Sequence, residues 1–148
     1  RLVGSEMCIR DSCSLVTGIA GISENIHING IIDRYLEHSR IFIFANGGEE
    51  KYYIGSADWM PRNLDNRIEV LAPVYDKEIQ ADLKRIVCYG YRDTAKGRIV
   101  DGTGENRPWE NRPSTLCKDF TPALAEAETA TVVFRSQEEL YRKYKNTL

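Results

Sequence analysis

The stretch from residue 41 to residue 54 constrains the fold more than any other part of the chain. Two apolar runs, Ile41–Phe44 and Lys51–Ile54, lie on either side of the turn-forming residues Asn46–Gly48. Apolar and aromatic runs separated by an Asn-Gly turn are typical of a β-hairpin. Because the strands of a hairpin are antiparallel, the residues that precede the first strand and those that follow the second meet at one sheet edge.

The residues that flank this hairpin carry side chains suited to phosphate chemistry. His38 and Arg40 precede its first strand, and Ser56, Asp58 and Asn63 follow its second strand. A histidine side chain donates or accepts a proton near neutral pH, and an arginine presents a planar fork that matches phosphate oxygens. The pattern predicts a phosphate site. The alternative is a surface hairpin with a solvated histidine and polar residues that only cap turns.

Strands and helices alternate along the rest of the chain, which favours an α/β or α+β layered domain. Helical spacing predicts a helix at Ile31–Glu37, and Asp76 is a good N-cap for a helix from Lys77 to about Tyr91. Ser136 and Glu139 predict a capping box at the start of a closing helix. Further strands are predicted at Ile26–Ile28, Arg67–Val74 and Gly97–Val100, and a helical turn at Pro61–Leu64.

Composition excludes several classes of protein. With 148 residues, 42% hydrophobic content and a net charge of −2, the chain can form one domain with a core and shows no global basic bias. A polyanion site must then be a local cluster of arginines and lysines, and no nucleic-acid partner is expected. No apolar run approaches the roughly 20 residues of a membrane helix.

Cysteine and histidine usage points to a reducing compartment without a metal centre. The four cysteines, Cys8, Cys13, Cys88 and Cys117, form no Cys-x-x-Cys pair, and only two histidines are present. This spacing excludes a zinc site, and cysteines without a paired pattern favour a reducing compartment, with the cytoplasm as the default. We expect a cytoplasmic protein, with peripheral association at a membrane as an open alternative.

Three stretches together resemble bacterial polyphosphate kinase, in particular its C-terminal catalytic domain, a phospholipase-D-like half. They are Ile22–Ile26, Asp33–Arg40 and Ser56–Asp65, and the similarity runs from about Ile9 to about Asp101. The resemblance implies an α/β half domain with a mixed sheet flanked by helices. It also implies a Mg²⁺-dependent, reversible transfer of the ATP γ-phosphate to polyphosphate through a phosphohistidine located upstream of this chain.

The resemblance divides the chain into three parts. Residues 1–11 lack strand or helix periodicity and are interpreted as a foreign leader, and residues 12–101 are the C-terminal catalytic domain. Residues 102–148 form a loop and closing helix of the same domain. The expected partners are ATP or ADP, polyphosphate, the upstream domains of the enzyme and further copies in a homo-oligomer. Mg²⁺ is expected to be bound mainly by ATP and upstream residues. Because the phosphohistidine nucleophile is also expected upstream, the isolated chain is predicted to be inactive.

Site residues follow from the same resemblance. The sequence His38-Ser39-Arg40 resembles the phospholipase-D His-x-Lys motif with arginine for lysine, which makes His38 the candidate catalytic residue and a nucleotide contact. Ser56, Asp58 and Asn63 resemble the tail of that motif and are predicted to orient His38. The candidate ATP- and phosphate-binding arginines are Arg10, Arg34, Arg40, Arg62 and Arg67. At Arg10 the match departs from the family, which has glycine where Asp11 stands here.

Two other functions are compatible with the sequence. The first is a non-catalytic module of the same fold that binds polyphosphate or nucleotide. The second is a different phospholipase-D-like phosphotransferase or phosphodiesterase, which is disfavoured by Arg40 and by the sequence Asp58-Trp59-Met60.

Overall fold

The predicted hairpin is confirmed. Strand β2 spans Ile41–Phe44 and strand β3 spans Lys51–Gly55, and the two are antiparallel. A 3₁₀ turn at Asn46–Gly48 joins them, and Gly47 and Gly48 have φ angles of 70° and 112°. Glycine adopts such angles without the strain that a Cβ atom brings, which explains the Gly-Gly pair. The structure, a computed structural model, describes residues 16–110, 117 and 133–145.

The described strands form two small antiparallel sheets. Strand β4, Leu71–Val74, pairs with β3 to complete a sheet of order β2-β3-β4, in which Pro73 lies opposite Tyr53. Strand β1, Asn29–Ile31, pairs with β5, Gly97–Ile99. The predicted mixed sheet is therefore wrong for the described residues. The connection from β3 to β4 contains only a short helix, and parallel strands need a longer crossover to bring the chain back.

Three helices accompany these sheets in the described part of the chain. Helix α1 spans Pro61–Asn66, α2 spans Lys77–Tyr91 and α3 spans Ser136–Tyr144. The prediction for α2 is confirmed to its cap, because the Asp76 carboxylate accepts hydrogen bonds from two backbone N–H groups of the first turn at 2.9 and 3.0 Å. The proline at the first position of α1 needs no N–H partner there. No described helix has the length and apolarity that a membrane span requires.

The predicted helix at Ile31–Glu37 is wrong. Ile31 is the last residue of β1, the N–H of Ile32 donates to the Lys96 carbonyl at 3.1 Å, and residues 33–35 form a bend. The apolar side chains that gave the helical spacing, those of Ile32, Tyr35 and Leu36, are exposed. The backbone of this segment is held by β5 and by α3, both far away in sequence.

Two predicted strands have different bounds. The strand expected at Ile26–Ile28 forms three residues later, as β1, and Ile28 packs in the core. The strand expected from Arg67 begins only at Leu71, because residues 67–70 lie outside the ladder with β3. The short strand at Gly97–Ile99 is confirmed as β5.

The C-terminal part of α2 is the centre of the core. Cys88 forms a disulfide with Cys117, with Cα atoms 5.5 Å apart, a pairing that the cysteine spacing does not indicate. The buried Trp109 donates its indole N–H to the Tyr91 carbonyl at 2.6 Å, and its ring meets the Tyr91 ring edge-on at 5.2 Å. The segment after β5 is therefore packed against α2 where it is described.

A buried carboxylate joins the end of α2 to the start of α3. Asp93 is 0% exposed and accepts hydrogen bonds from the Lys96 N–H at 2.7 Å and from the Ser136 N–H and hydroxyl at 2.8 and 2.7 Å. The predicted capping box is wrong. Ser136 is the first residue of α3 rather than the residue before it, and its hydroxyl donates to Asp93 instead of accepting from a backbone N–H of the helix. Asp93 therefore supplies the cap of α3 from a distant part of the chain.

Replacement of Asp93 tests this assignment. We expect Asp93→Ala to lower the free energy of unfolding by about 3 kcal/mol, because it leaves buried donors without an acceptor. The matched control is Asp76→Ala, which removes an exposed N-cap at a cost of about 1 kcal/mol. Urea unfolding followed by circular dichroism measures both values. Equal losses for the two variants would contradict the role given to Asp93.

Candidate active site

The hairpin brings Arg40 and Asp58 together at one sheet edge. The Arg40 Nε–H donates to the Asp58 carboxylate at 2.9 Å, and the Arg40 carbonyl accepts from the Gly55 N–H at 2.9 Å. Asp58 is buried and the arginine side chain is half-buried. A guanidinium group held on one side by a carboxylate has a fixed orientation, which suits it to bind a planar or tetrahedral anion.

His38 lies at the same end of the hairpin. It is exposed, two residues before Arg40, in a stretch without regular secondary structure from residue 36 to residue 40. An exposed imidazole beside an oriented guanidinium group can exchange a proton with a bound molecule. The placement that the sequence predicts for His38 is therefore compatible with catalysis.

The turn after β3 is held by a stacked aromatic pair. The Trp59 ring lies 5.6 Å from the Phe42 ring at an interplanar angle of 17°. The Asp58 carbonyl accepts from the Met60 N–H at 2.8 Å, which tightens the turn before α1. Trp59 therefore fixes the position of Asp58 against β2.

Asn63 carries a buried acceptor with no hydrogen-bond partner in the described part of the chain. Its side chain is 1% exposed, and its Oδ1 atom is fully buried and unbonded. Such an atom costs about 1–3 kcal/mol of desolvation, and native structures keep few of them. Asn63 is one of the three residues, with Ser56 and Asp58, that the sequence resemblance places in the site.

Ser56 contacts the segment that precedes β4. Its hydroxyl donates to the Glu69 carboxylate and accepts from the Val70 N–H at 3.0 Å, and its own N–H donates to the Val70 carbonyl at 3.0 Å. These contacts hold together the two ends of the segment, residues 56–70, that connects β3 to β4. An orienting action of Ser56 on His38 stays a prediction.

The other candidate arginines are exposed. Arg34 lies in the bend before His38, Arg62 in the first turn of α1, and Arg67 directly after α1. These positions place positive charge on segments adjacent in sequence to the hairpin edge. Arg10 lies outside the described residues.

Two residues that sequence reasoning missed hold the segment before His38. From the first turn of α3, Gln137 accepts from the Tyr35 N–H at 3.1 Å and donates to the Tyr35 carbonyl at 2.8 Å and to the Glu37 carboxylate at 2.7 Å. Arg135 donates from Nε and Nη2 to the two Asp33 oxygens at 2.8 and 2.6 Å. No local pattern signals contacts across roughly 100 residues.

Arg135 and Asp33 shift each other's proton affinity. Hydrogen bonds from the Arg135 fork hold the pKa of Asp33 below its ordinary value, although burial opposes this, and the Asp33 carboxylate raises the pKa of Arg135. Elsewhere, hydrogen bonds from the Thr103 hydroxyl and N–H, together with Arg107, lower the pKa of Asp101 to about 2. Asp33 is thus ionised in the folded protein at neutral pH.

Metal-ligating side chains are not clustered in the described part of the chain. No three His, Cys, Asp or Glu side chains between residues 16 and 110, at 117 or between 133 and 145 are grouped so that they could hold a metal ion.

Comparison with known proteins identifies the family. The family model described as "Polyphosphate kinase C-terminal domain 2" matches residues 3–118. The match begins inside the segment interpreted as a foreign leader. The chain belongs to the polyphosphate kinase family.

Curated and structural relatives agree with this assignment. The chain is 46% identical over 128 residues to polyphosphate kinase of Escherichia coli strain K12, a match that covers 82% of this chain and 19% of that protein. It is 52% identical over 95 residues to polyphosphate kinase of Vibrio vulnificus strain YJ016, which covers 64% and 14%. The crystal structure of polyphosphate kinase from Porphyromonas gingivalis superposes with a TM-score of 0.67 and 35% identity, covering 84% of this chain and 17% of that chain. The chain thus spans less than a fifth of the length of these relatives.

The Asp33–Arg135 pair predicts a pH dependence of stability. Because the folded-state pKa of Asp33 is depressed, its contribution is present above the unfolded-state pKa and is lost as the pH falls through the folded-state value. We expect Asp33→Asn to be less stable than the parent chain near pH 6, with the difference shrinking as the pH falls below about 4.

Chemical denaturation across this pH range measures the difference. The matched control is Asp65→Asn, which removes the same charge from an exposed position of α1. A constant difference between Asp33→Asn and the parent chain at every pH would contradict the assignment.

Proposed function

We propose that this chain is the C-terminal catalytic part of a polyphosphate kinase, which transfers the ATP γ-phosphate reversibly to polyphosphate through a phosphohistidine upstream of the chain. The observation that carries the proposal is the Arg40–Asp58 ion pair together with the exposed His38, two residues before Arg40 at the same end of the hairpin. Membership of the polyphosphate kinase family supports it. The phospholipase-D-like character of the half domain is part of the same proposal.

His38 acts as the proton-transfer group in this proposal. When a phosphoryl group leaves ATP for the upstream histidine, the imidazole of His38 stabilises or protonates the oxygen that departs. It accepts the proton again in the reverse direction. Exposure of His38 lets a phosphate chain reach it without opening of the fold.

Arginines supply the positive charge in this proposal. The transferred phosphoryl group spreads negative charge over its oxygens, so catalysis depends on positioned donors. Arg40 is oriented by Asp58 for this task, whereas Arg34, Arg62 and Arg67 contact the mobile polyanion through exposed forks. Arg10 is proposed as a further ATP contact on sequence resemblance.

Magnesium belongs to the nucleotide in this proposal. When bound, Mg²⁺ neutralises charge on the ATP phosphates. The part proposed for this chain's residues is to bind and orient the phosphates and to exchange protons.

Partners and location follow from the proposed reaction. We propose that the chain works with upstream domains, within a homo-oligomer, in the ATP-containing cytoplasm. The Cys88–Cys117 disulfide argues against a cytoplasmic location, because reducing compartments keep most thiols reduced.

A second candidate function is a module that binds polyphosphate or nucleotide without catalysis. The only other histidine, His27, is followed by Ile28 and Asn29 rather than by a basic residue at the second position, so catalysis by this chain depends on a histidine outside it, whereas binding does not. The chain thus has no second His-x-Arg motif. Binding without a His38-dependent turnover would identify this function.

A chimaera tests the proposed role of His38. This chain replaces the matching 128 residues of the E. coli K12 polyphosphate kinase, and ATP-dependent polyphosphate formation is measured. We expect His38→Ala to lower turnover by about 100-fold or more, the usual contribution of a general acid–base group. The control is His27→Gln. Turnover independent of His38, or an inactive parent chimaera with intact fold, would contradict the proposal.

The isolated chain is expected to be inactive. The phosphohistidine that the reaction requires lies upstream in the proposal, so the purified chain of 148 residues should form no polyphosphate from ATP. It should still bind polyphosphate, and binding should weaken as salt rises. Robust kinase activity of the purified chain would overturn the two-part mechanism.

A further inference from the structure

The backbone around His38 has no secondary structure of its own. Residues 36–40 are irregular, with β2 beginning only at Ile41 and β1 ending at Ile31. On the C-terminal side, the Gly55 N–H holds the Arg40 carbonyl at 2.9 Å. The N-terminal side needs a comparable restraint if the imidazole is to stay in one place.

That restraint comes from the start of helix α3. Gln137 lies in its first turn, and Arg135 directly precedes it. The Gln137 amide accepts a hydrogen bond from the Tyr35 N–H and donates to the Tyr35 carbonyl. It also donates to the carboxylate of Glu37, the residue directly before His38. Two residues earlier in the loop, Arg135 binds both oxygens of Asp33, whose side chain is only 1% exposed. A bidentate arginine–carboxylate pair fixes direction as well as distance.

The helix that makes these contacts is itself fixed to the core. Its first residue, Ser136, donates twice to the buried Asp93. The Phe134 carbonyl accepts from the N–H groups of Thr94 and Ala95 at 3.0 and 3.1 Å, and the Phe134 N–H donates to the Thr94 hydroxyl at 2.9 Å. Contacts therefore run without interruption from the end of α2 through α3 to the loop before His38.

We propose that Arg135 and Gln137 are positioning residues that hold the segment 33–37 and thereby set the place of the His38 imidazole. The inference rests on the proposed function, since it matters for turnover only if His38 acts on phosphate. A displacement of about 1 Å at a reacting group costs up to about 100-fold in rate. Loss of the α3 contacts should therefore impair chemistry more than substrate binding.

Gln137→Ala is the sharper variant of the two. It removes a neutral amide in the first turn of α3, so the exposed Tyr35 backbone and the Glu37 carboxylate can bond to water instead, at little cost in stability. Arg135→Ala leaves the buried Asp33 charge without its partner and can unfold the loop. Arg135→Lys keeps the charge but loses the fork, and it should restore part of the function.

The first measurement follows the His38 ring by NMR in the chain labelled with ¹³C-histidine. The chain has only two histidines, so His27→Gln assigns the signals. We expect the His38 Cε1–Hε1 signal to move and broaden in Gln137→Ala and Arg135→Ala. It should stay in place in the control Arg142→Ala, which removes an exposed arginine of the same helix that pairs with Glu139. A His38 signal that superimposes in all variants would overturn the inference.

The second measurement uses the chimaera. We expect kcat for polyphosphate formation to fall about tenfold or more in Gln137→Ala, with KM for ATP within about twofold of the parent, and Arg135→Lys to lie between the parent and Arg135→Ala. Full turnover in Gln137→Ala, together with a loss of turnover in His38→Ala, would contradict the positioning role and leave the proposed function intact. A His38 signal that moves while His38→Ala retains full turnover would reject the catalytic role instead.

Discussion

The hydrogen bonds accepted by the buried Asp93 carboxylate are the interaction on which much of the described structure depends. One oxygen accepts from the turn before β5, and the other begins helix α3 about 40 residues later. Because the group lies out of water, each of these donors depends on it for its hydrogen bond. Asp93 thus connects the β1–β5 sheet to the helix that holds the loop before His38.

The sequence predicted the elements whose partners are close in the chain. The hairpin follows from two apolar runs and a glycine turn, and α2 follows from its periodicity and its Asp76 cap, which bonds to residues two and three positions later. The meeting of Arg40 with Asp58 follows from hairpin geometry alone. Local physics fully determines these features, so a reader of the sequence can derive them.

Elements fixed by distant partners could not be predicted in this way. The segment after β1 has the spacing of a helix, yet β5 and α3 supply its hydrogen bonds from 64 to 102 residues away. The same limit explains why the predicted capping box at Ser136 does not form. The Ser136 hydroxyl donates to a carboxylate 43 residues earlier in the chain. Likewise, the pairing of Cys88 with Cys117 has no signature in cysteine spacing.

Pro73, in strand β4, has a consequence for how this domain meets other chains. Among the described strands β4 has only β3 as a neighbour, so its outer side is a sheet edge. An edge of apolar residues such as Leu71 and Val74 would recruit a strand from a second molecule, but a proline cannot donate to such a ladder. The residue therefore removes one backbone donor from this edge, which weakens the addition of a strand from another molecule there.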